Sequence, residues 1–288
     1  MIRHVVNHIW WCSTALLTVR TAIAPRRVTR PAGKEKSQDR GASANVEHVT
    51  SPAERYAASR RRAAESAKFP RLDDFSTDLG FDLDDFQREA CQALERGSGV
   101  LVCAPTGAGK TVVGEFAVHL ALTADTRKKC FYTTPIKALS NQKYHDLVDR
   151  YGAANVGLLT GDNVINGDAQ VVVMTTEVLR NMLYAGSAAL DGLAYVVMDE
   201  VHYLADRFRG AVWEEVIIHL PSTVTLVSLS ATVSNAEEFA DWLVTVRGHT
   251  EVVVSEHRPV PLWQHMLVGR RMFDLFHDAD AARKHDVH

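Results

Sequence analysis

The sequence predicts a doubly wound α/β domain built on a mostly parallel sheet. Three observations carry that expectation. Seven short runs are apolar and β-branched throughout rather than alternating, as in strands covered on both faces. They fall at 99–104, 129–134, 155–160, 169–176, 194–200, 224–232 and 250–256. Helical patterns separate or flank them at 85–96, 110–123, 137–150, 177–185, 211–219 and 234–246. The chemically distinctive residues come just after strands, where ligands bind in sheets of this kind.

Bulk properties bound the rest. The chain has 288 residues, 46% of them hydrophobic, which suits a globular protein with a real core. Its net charge is -3, unevenly spread. Residues 1–71 hold 14 Lys/Arg and 5 Asp/Glu, whereas 72–288 hold 18 and 30. The basic leader is poor in large apolar residues after Val28, and it reads as a largely disordered, solvated tail. Its first 24 residues have a basic start, a short apolar run and Ala22-Ile23-Ala24, as a secretory signal does. Asn7 and His8 break that run and Arg20 crowds the would-be cleavage site, so an extension without a targeting role is expected. The run is also too short and interrupted for a membrane helix. Cys12, Cys91, Cys103 and Cys130 show neither C-x-x-C nor zinc-ligand spacing. Reduced core thiols and a cytoplasmic location follow.

The stretch "VLVCAPTGAGKTVVGEFAVHLAL" reads as strand, glycine-rich turn and helix. Within it, Ala104, Pro105, Thr106, Gly107, Ala108, Gly109, Lys110 and Thr111 have the character of a phosphate loop. A triphosphate needs backbone N–H groups close by, and Gly107 and Gly109 permit that approach. Lys110 is expected against the β- and γ-phosphates, and Thr111 is expected to offer its hydroxyl to Mg²⁺. The positive end of the helix faces the same anion. The loop opens with Ala104 where the strict pattern has glycine.

A second stretch, "VVMDEVHYLADRFRG", ends an apolar strand in Asp199 and Glu200. Beside a phosphate loop, Asp199 is expected to hold Mg²⁺ opposite Thr111. Glu200 is expected to polarise the attacking water as general base. His202 is not required by phosphoryl chemistry, so it is assigned to coupling.

"APTGAGKT", "DEVH" and "SAT" (Ser230-Ala231-Thr232) stand in the order and spacing of superfamily 2 helicases, and "DEVH" places the chain in the DExH branch. With "TTPIKALSNQKY", "GLLTGD", "VVMTTEVLRNMLY", "SLSATVSNAEEFADWL" and "EHRPVPLWQHMLVG", the chain closely resembles the superkiller-like (Ski) RNA helicases, most of all their actinobacterial branch. The resemblance runs from about Phe75 to Phe276. It implies a RecA-like domain that couples ATP hydrolysis to movement on single-stranded RNA, with ATP and Mg²⁺ as cofactors. It implies that Gln87 and Phe81 meet the adenine. Thr134, Pro135 and Lys137 would grip the nucleic-acid backbone, as would Thr176, Glu177 and Arg180, with Gly161 of "TGD" as a third element. Ser230 and Thr232 would link hydrolysis to strand movement. Backbone grip by hydroxyls, main-chain N–H groups and a few cations is what sequence-independent binding requires.

On this reading 1–71 is the leader, 72–255 the first RecA-like domain, and 256–288 the start of a linker toward a second RecA-like domain that the chain does not contain. Two alternatives stay open. One is a DNA translocase of the same superfamily, since both polymers offer phosphates. The other is a non-catalytic nucleotide-binding module. A metabolic or transport ATPase is disfavoured, because neither explains "TTPIKAL", "TTEVLR" and "SAT" together. Second-domain arginines are worth on the order of 10³–10⁵ in rate in such reactions. The purified 288-residue chain is therefore expected to hydrolyse ATP poorly. Robust RNA-stimulated turnover in a phosphate-release assay would contradict this.

Overall fold

Apolar runs that lack alternation have to be covered on both faces, and the sheet meets that demand. The structure, a computed structural model, describes residues 68–124, 127–231, 236–260 and 262–276. The chain divides into two units, Met1–Lys68 and Phe69–His288. The leader, apart from its last few residues, lies outside the described residues, as do Thr232 and the stretch 277–288.

Eight strands form one sheet: β1 Gly99–Cys103, β2 Lys129–Thr134, β3 Val156–Leu159, β4 Val164–Ile165, β5 Val171–Thr175, β6 Leu193–Met198, β7 Thr225–Ser230 and β8 Thr250–Val254. Their order is β4-β3-β5-β2-β6-β7-β1-β8. Every pairing is parallel except β3 with β4. The helices are α1 Pro70–Leu79, α2 Asp85–Glu95, α3 Thr111–Leu122, α4 Lys137–Tyr151, α5 Thr176–Ala185, α6 Gly210–His219 and α7 Ala236–Arg247. Val100, Val102, Tyr132, Val171, Val173, Val197 and Val227 point to one side, where they pack with residues of α1 to α4. Leu101, Cys103, Phe131, Val172, Met174, Val196 and Met198 point to the other, under α5 to α7. Successive strand residues thus enter opposite cores, which is why both had to be apolar. The doubly wound α/β expectation holds. Cys91, Cys103 and Cys130 are free and buried. Among the described residues no helix is long and apolar enough to cross a membrane.

The structure departs from the sequence reading at several elements, among them the short strand β4. Helix α1 precedes the first expected element; Pro70 opens it, and Leu72 and Phe75 anchor it in the core. Within the segment read as linker, β9 His265–Val268 and β10 Arg271–Asp274 form a separate antiparallel hairpin. Strand β6 stops at Met198 rather than 200, so Asp199 and Glu200 lie beyond it. Short elements such as β4 and the hairpin carry too few residues to show a periodicity.

Parallel pairing brings the C-terminal ends of β1, β2, β5, β6 and β7 to one edge. Cys103 is level with Ser230, Thr133 with Met198, and Thr134 with Thr175. Strand β7 lies between β1 and β6, so "SAT" begins between the phosphate loop and "DEVH".

One core residue has a pH consequence. His119 on α3 is buried against Phe75 and Phe116, and its Nε2 has no hydrogen-bond partner among the described residues. Burial lowers its pKa; Asp78 and Asp74 oppose that, while Arg150 and Arg71 reinforce it. The unfolded chain then takes up this proton more readily than the folded one, so the contribution to stability is full above about pH 6.5 and is lost as pH falls below it. His119→Phe should flatten that acid limb, raising the melting temperature over the parent by about 2–4 °C at pH 5 and by less at pH 7.5. Thermal melts at the two pH values check this.

Candidate active site

The phosphate loop is shaped by two glycines in the left-handed region. Gly107 has φ 87° and Gly109 φ 81°. A Cβ on Gly107 would meet nothing within 4 Å, so the loop leaves open space there, whereas one on Gly109 would stand 2.7 Å from Gln87 Nε2. Gln87 is buried. Its Nε2 donates to Gly109 O at 3.0 Å and its Oε1 accepts from Asp84 N–H at 2.9 Å. The side chain thus fastens α2 to the loop, and Phe81 stands exposed just upstream. Lys110 is buried at the start of α3, with Nζ donating to Ala104 O at 2.8 Å and Pro105 O at 3.1 Å. Burial pushes its pKa down, and the Glu200 and Asp199 carboxylates oppose that shift.

Opposite the loop, Asp199 and Glu200 turn sharply out of β6. Glu200 sits at φ 54°, ψ 44°, a conformation that costs a non-glycine residue on the order of 1 kcal/mol. The turn points Glu200 N–H back at Asp199 Oδ1, 3.0 Å away. Tyr132 Oη donates to Asp199 Oδ2 at 3.0 Å. Burial raises the Asp199 pKa and the Glu200 charge raises it further; the Tyr132 hydroxyl and Lys143 pull it back. Glu200 Oε2 is buried without a hydrogen bond among the described residues, 3.2 Å from His202 Nδ1. That nitrogen instead accepts from Ala231 N–H at 3.4 Å. Thr111, Thr134, Asp199 and Glu200 share the wall of one cavity of about 300 Å³ with Gln142, Lys143 and Asp146. No cluster of three or more His, Cys, Asp or Glu side chains suited to a metal occurs among the described residues. A hydroxyl and a carboxylate facing one space fit Mg²⁺, which binds through few protein oxygens, waters and substrate phosphates.

The expected backbone-gripping residues meet along the same edge in varied states. Thr134 is buried, its hydroxyl 2.7 Å from Ser140 Oγ. Thr176 is buried and donates to Thr134 O at 3.4 Å. Lys137 pairs with Asp162 Oδ1 at 2.8 Å, which brings "TTPIK" to "TGD" beside exposed Gly161. Arg180 bonds Asn181 Oδ1 and lies 3.7 Å from Glu215. Ser230 is buried, its carbonyl accepting from Ala104 N–H at 3.1 Å.

Sequence reasoning missed the residues that hold these together. Arg209 pairs with Glu177, donates to Pro135 O at 2.5 Å and lies over the Trp213 ring at 5.8 Å. Asp206 Oδ1 fixes the loop by accepting from the N–H groups of Phe208 and Arg209, both at 2.9 Å. Tyr132 and Lys143 were also missed. The signal was available only as "DRFRG", whose two arginines and aspartate look like solvated loop charges until the partners are known.

A phosphate loop facing paired carboxylates, on the C-terminal edge of a mostly parallel sheet, defines a RecA-like nucleotide-binding domain. Residues 84–239 match the DEAD/DEAH box helicase family, more than half of the chain, and the chain belongs to that family. It is 75% identical over 205 residues to the probable helicase HelY of Mycobacterium tuberculosis (strain ATCC 25618 / H37Rv), covering 71% of this chain and 22% of that protein. It is 50% identical over 197 residues to the DExH-box ATP-dependent RNA helicase DExH15 chloroplastic of Arabidopsis thaliana, covering 66% and 17%. It is 51% identical over 183 residues to the antiviral helicase SKI2 of Saccharomyces cerevisiae, covering 63% and 14%. The chain thus spans only 14–22% of the length of these curated relatives.

Arg209→Ala should loosen the loop that ties Pro135 to Glu177, lowering stability by about 1 kcal/mol, since the pair is partly exposed. Amide exchange should rise in 135–140 and 176–181 and stay unchanged in β1. Arg209→Lys should rescue little, because one ammonium does not match a planar fork with two acceptors.

Proposed function

We propose that the chain is the ATP-binding half of a DExH-type RNA helicase, which couples ATP hydrolysis to translocation on single-stranded RNA. The observation that carries this is the shared cavity, in which Thr111, Asp199 and Glu200 face one space next to the phosphate loop. Main-chain N–H groups of 104–111 would cradle the phosphates, and Lys110 would exchange its carbonyl partners for phosphate oxygens. Mg²⁺, when bound, neutralises charge developing on the phosphates; Thr111 and Asp199 would hold it. Glu200, whose Oε2 is buried and without a hydrogen bond among the described residues, would orient and deprotonate the attacking water. Gln87 and Phe81 would meet the adenine, with Gln87 trading a loop contact for the base.

His202, Ser230 and Thr232 would carry the state of the nucleotide site to the strand-gripping segments. What supports the first of these is the contact from His202 Nδ1 to the backbone of "SAT". Thr134, Pro135, Lys137, Gly161, Thr176, Glu177 and Arg180 would line the nucleic-acid path. The direct cation contacts come from Lys137 and Arg180, while Glu177 acts through Arg209. RNA is preferred to DNA because relatives bear the names RNA helicase DExH15 and exosome RNA helicase MTR4. A second RecA-like domain is part of the proposal, as the source of arginines for the γ-phosphate. So is a cytoplasmic location, which the buried free thiols support.

The test is nucleotide and polymer binding by the chain and its variants. Lys110→Ala should abolish ATP binding. Glu200→Gln should retain it and cut residual turnover by on the order of 10²–10⁴-fold. Single-stranded RNA should bind more tightly than DNA of the same sequence; equal or reversed preference would favour a DNA translocase. Full ATP affinity in Lys110→Ala would end the reading.

A further inference from the structure

Tyr132 is fully buried on β2, one strand away from the end of β6. A buried tyrosine needs a partner for its hydroxyl, and here the partner is Asp199 Oδ2 at 3.0 Å. The other oxygen, Oδ1, accepts from Glu200 N–H at 3.0 Å. Each carboxylate oxygen is thus held by one donor, from two different parts of the fold, and the plane of the carboxylate is fixed.

The ring of Tyr132 is itself held. Gly114 lies on α3, less than one turn past Thr111, and a Cβ there would stand 3.0 Å from Tyr132 Cε2. The missing side chain lets the ring lie directly against the helix that begins with Thr111. Lys143 of α4 sits 5.6 Å from the ring centroid. It is anchored 3.5 Å from Glu115 Oε1 and 3.7 Å from Asp146 Oδ2. Glu115 follows Gly114 on α3 and also binds Arg150 of α4 at 2.8 Å. One aromatic ring is therefore gripped by the helix carrying the Thr111 hydroxyl, while its own hydroxyl grips the Asp199 carboxylate.

We propose that Tyr132 is a positioning residue that sets the Asp199 carboxylate relative to the Thr111 hydroxyl, and thereby the affinity of the site for Mg²⁺-bound rather than bare nucleotide. The proposal rests on the ATP-site reading above. Mg²⁺ demands near-ideal octahedral geometry, and partners that orient a ligand are typically worth 10–100-fold in metal affinity.

The experiment uses the 288-residue chain, a fluorescent ADP analogue and an Mg²⁺ titration. Tyr132→Phe removes the hydroxyl alone. It should raise the Mg²⁺ concentration at half-effect by at least about 10-fold, with affinity in EDTA unchanged. In an Asp199→Asn background the same change should add nothing further. A half-effect concentration within twofold of the parent overturns the proposal. An equal loss of affinity in EDTA also overturns it, because that marks a general structural role. Should Tyr132→Phe fail to fold, Gly114→Ala keeps the hydroxyl and crowds the Tyr132 ring together with Val197, two residues before Asp199, and an unchanged Mg²⁺ dependence there overturns the proposal. A parent chain with no nucleotide affinity at any Mg²⁺ concentration takes down the ATP-site reading and this inference together. Normal Mg²⁺ dependence in the variant removes only the role of Tyr132.

Discussion

Parallel pairing of β1 with β7 and of β7 with β6 sets Cys103 opposite Ser230 and Met198 opposite Ser228, and the chemistry of the edge hangs on that register. The hydrogen bond from Ala104 N–H to Ser230 O fastens the start of the phosphate loop to "SAT". The bond from Asp199 N–H to Thr133 O fastens "DEVH" to the strand leading into "TTPIK". A slip of one residue in either pairing would send each of these side chains to the opposite face. The two apolar cores, one on each side of the sheet, penalise such a slip strongly, so packing far from the site fixes distances within it.

The same edge carries local strain and electrostatic cost. Glu200 takes a left-handed backbone, two carboxylates sit side by side, and a lysine is buried among carbonyls. Each of these destabilises the domain by itself. On the proposed reading, together they form the site that would receive a polyphosphate and a hard cation. The surrounding strands supply the stability that such a site gives up.

The fold class was legible because both-sided burial writes an unbroken apolar pattern. Thr111, Asp199 and Glu200 were legible as a constellation because phosphate chemistry needs a hydroxyl and two carboxylates just after strands. The supports were not. Tyr132 looks like one more apolar strand residue in "KCFYTT", and its hydroxyl acquires meaning only when β6 is laid beside β2. Arg209 looks like an exposed loop charge until the α5 end of the sheet brings Glu177 to it. Helix α1 was missed because its ten residues carry only two buried side chains, and a stripe that thin shows no period.

The contact of His202 with "SAT" has one more implication. Nδ1 stands between two neighbours with opposite needs: Ala231 N–H at 3.4 Å, which calls for an acceptor, and Glu200 Oε2 at 3.2 Å, which can bond only a nitrogen that carries a proton. One ring nitrogen cannot serve both at once. Where the imidazole places its proton therefore decides whether the ring is tied to the backbone of "SAT" or to the carboxylate beside it.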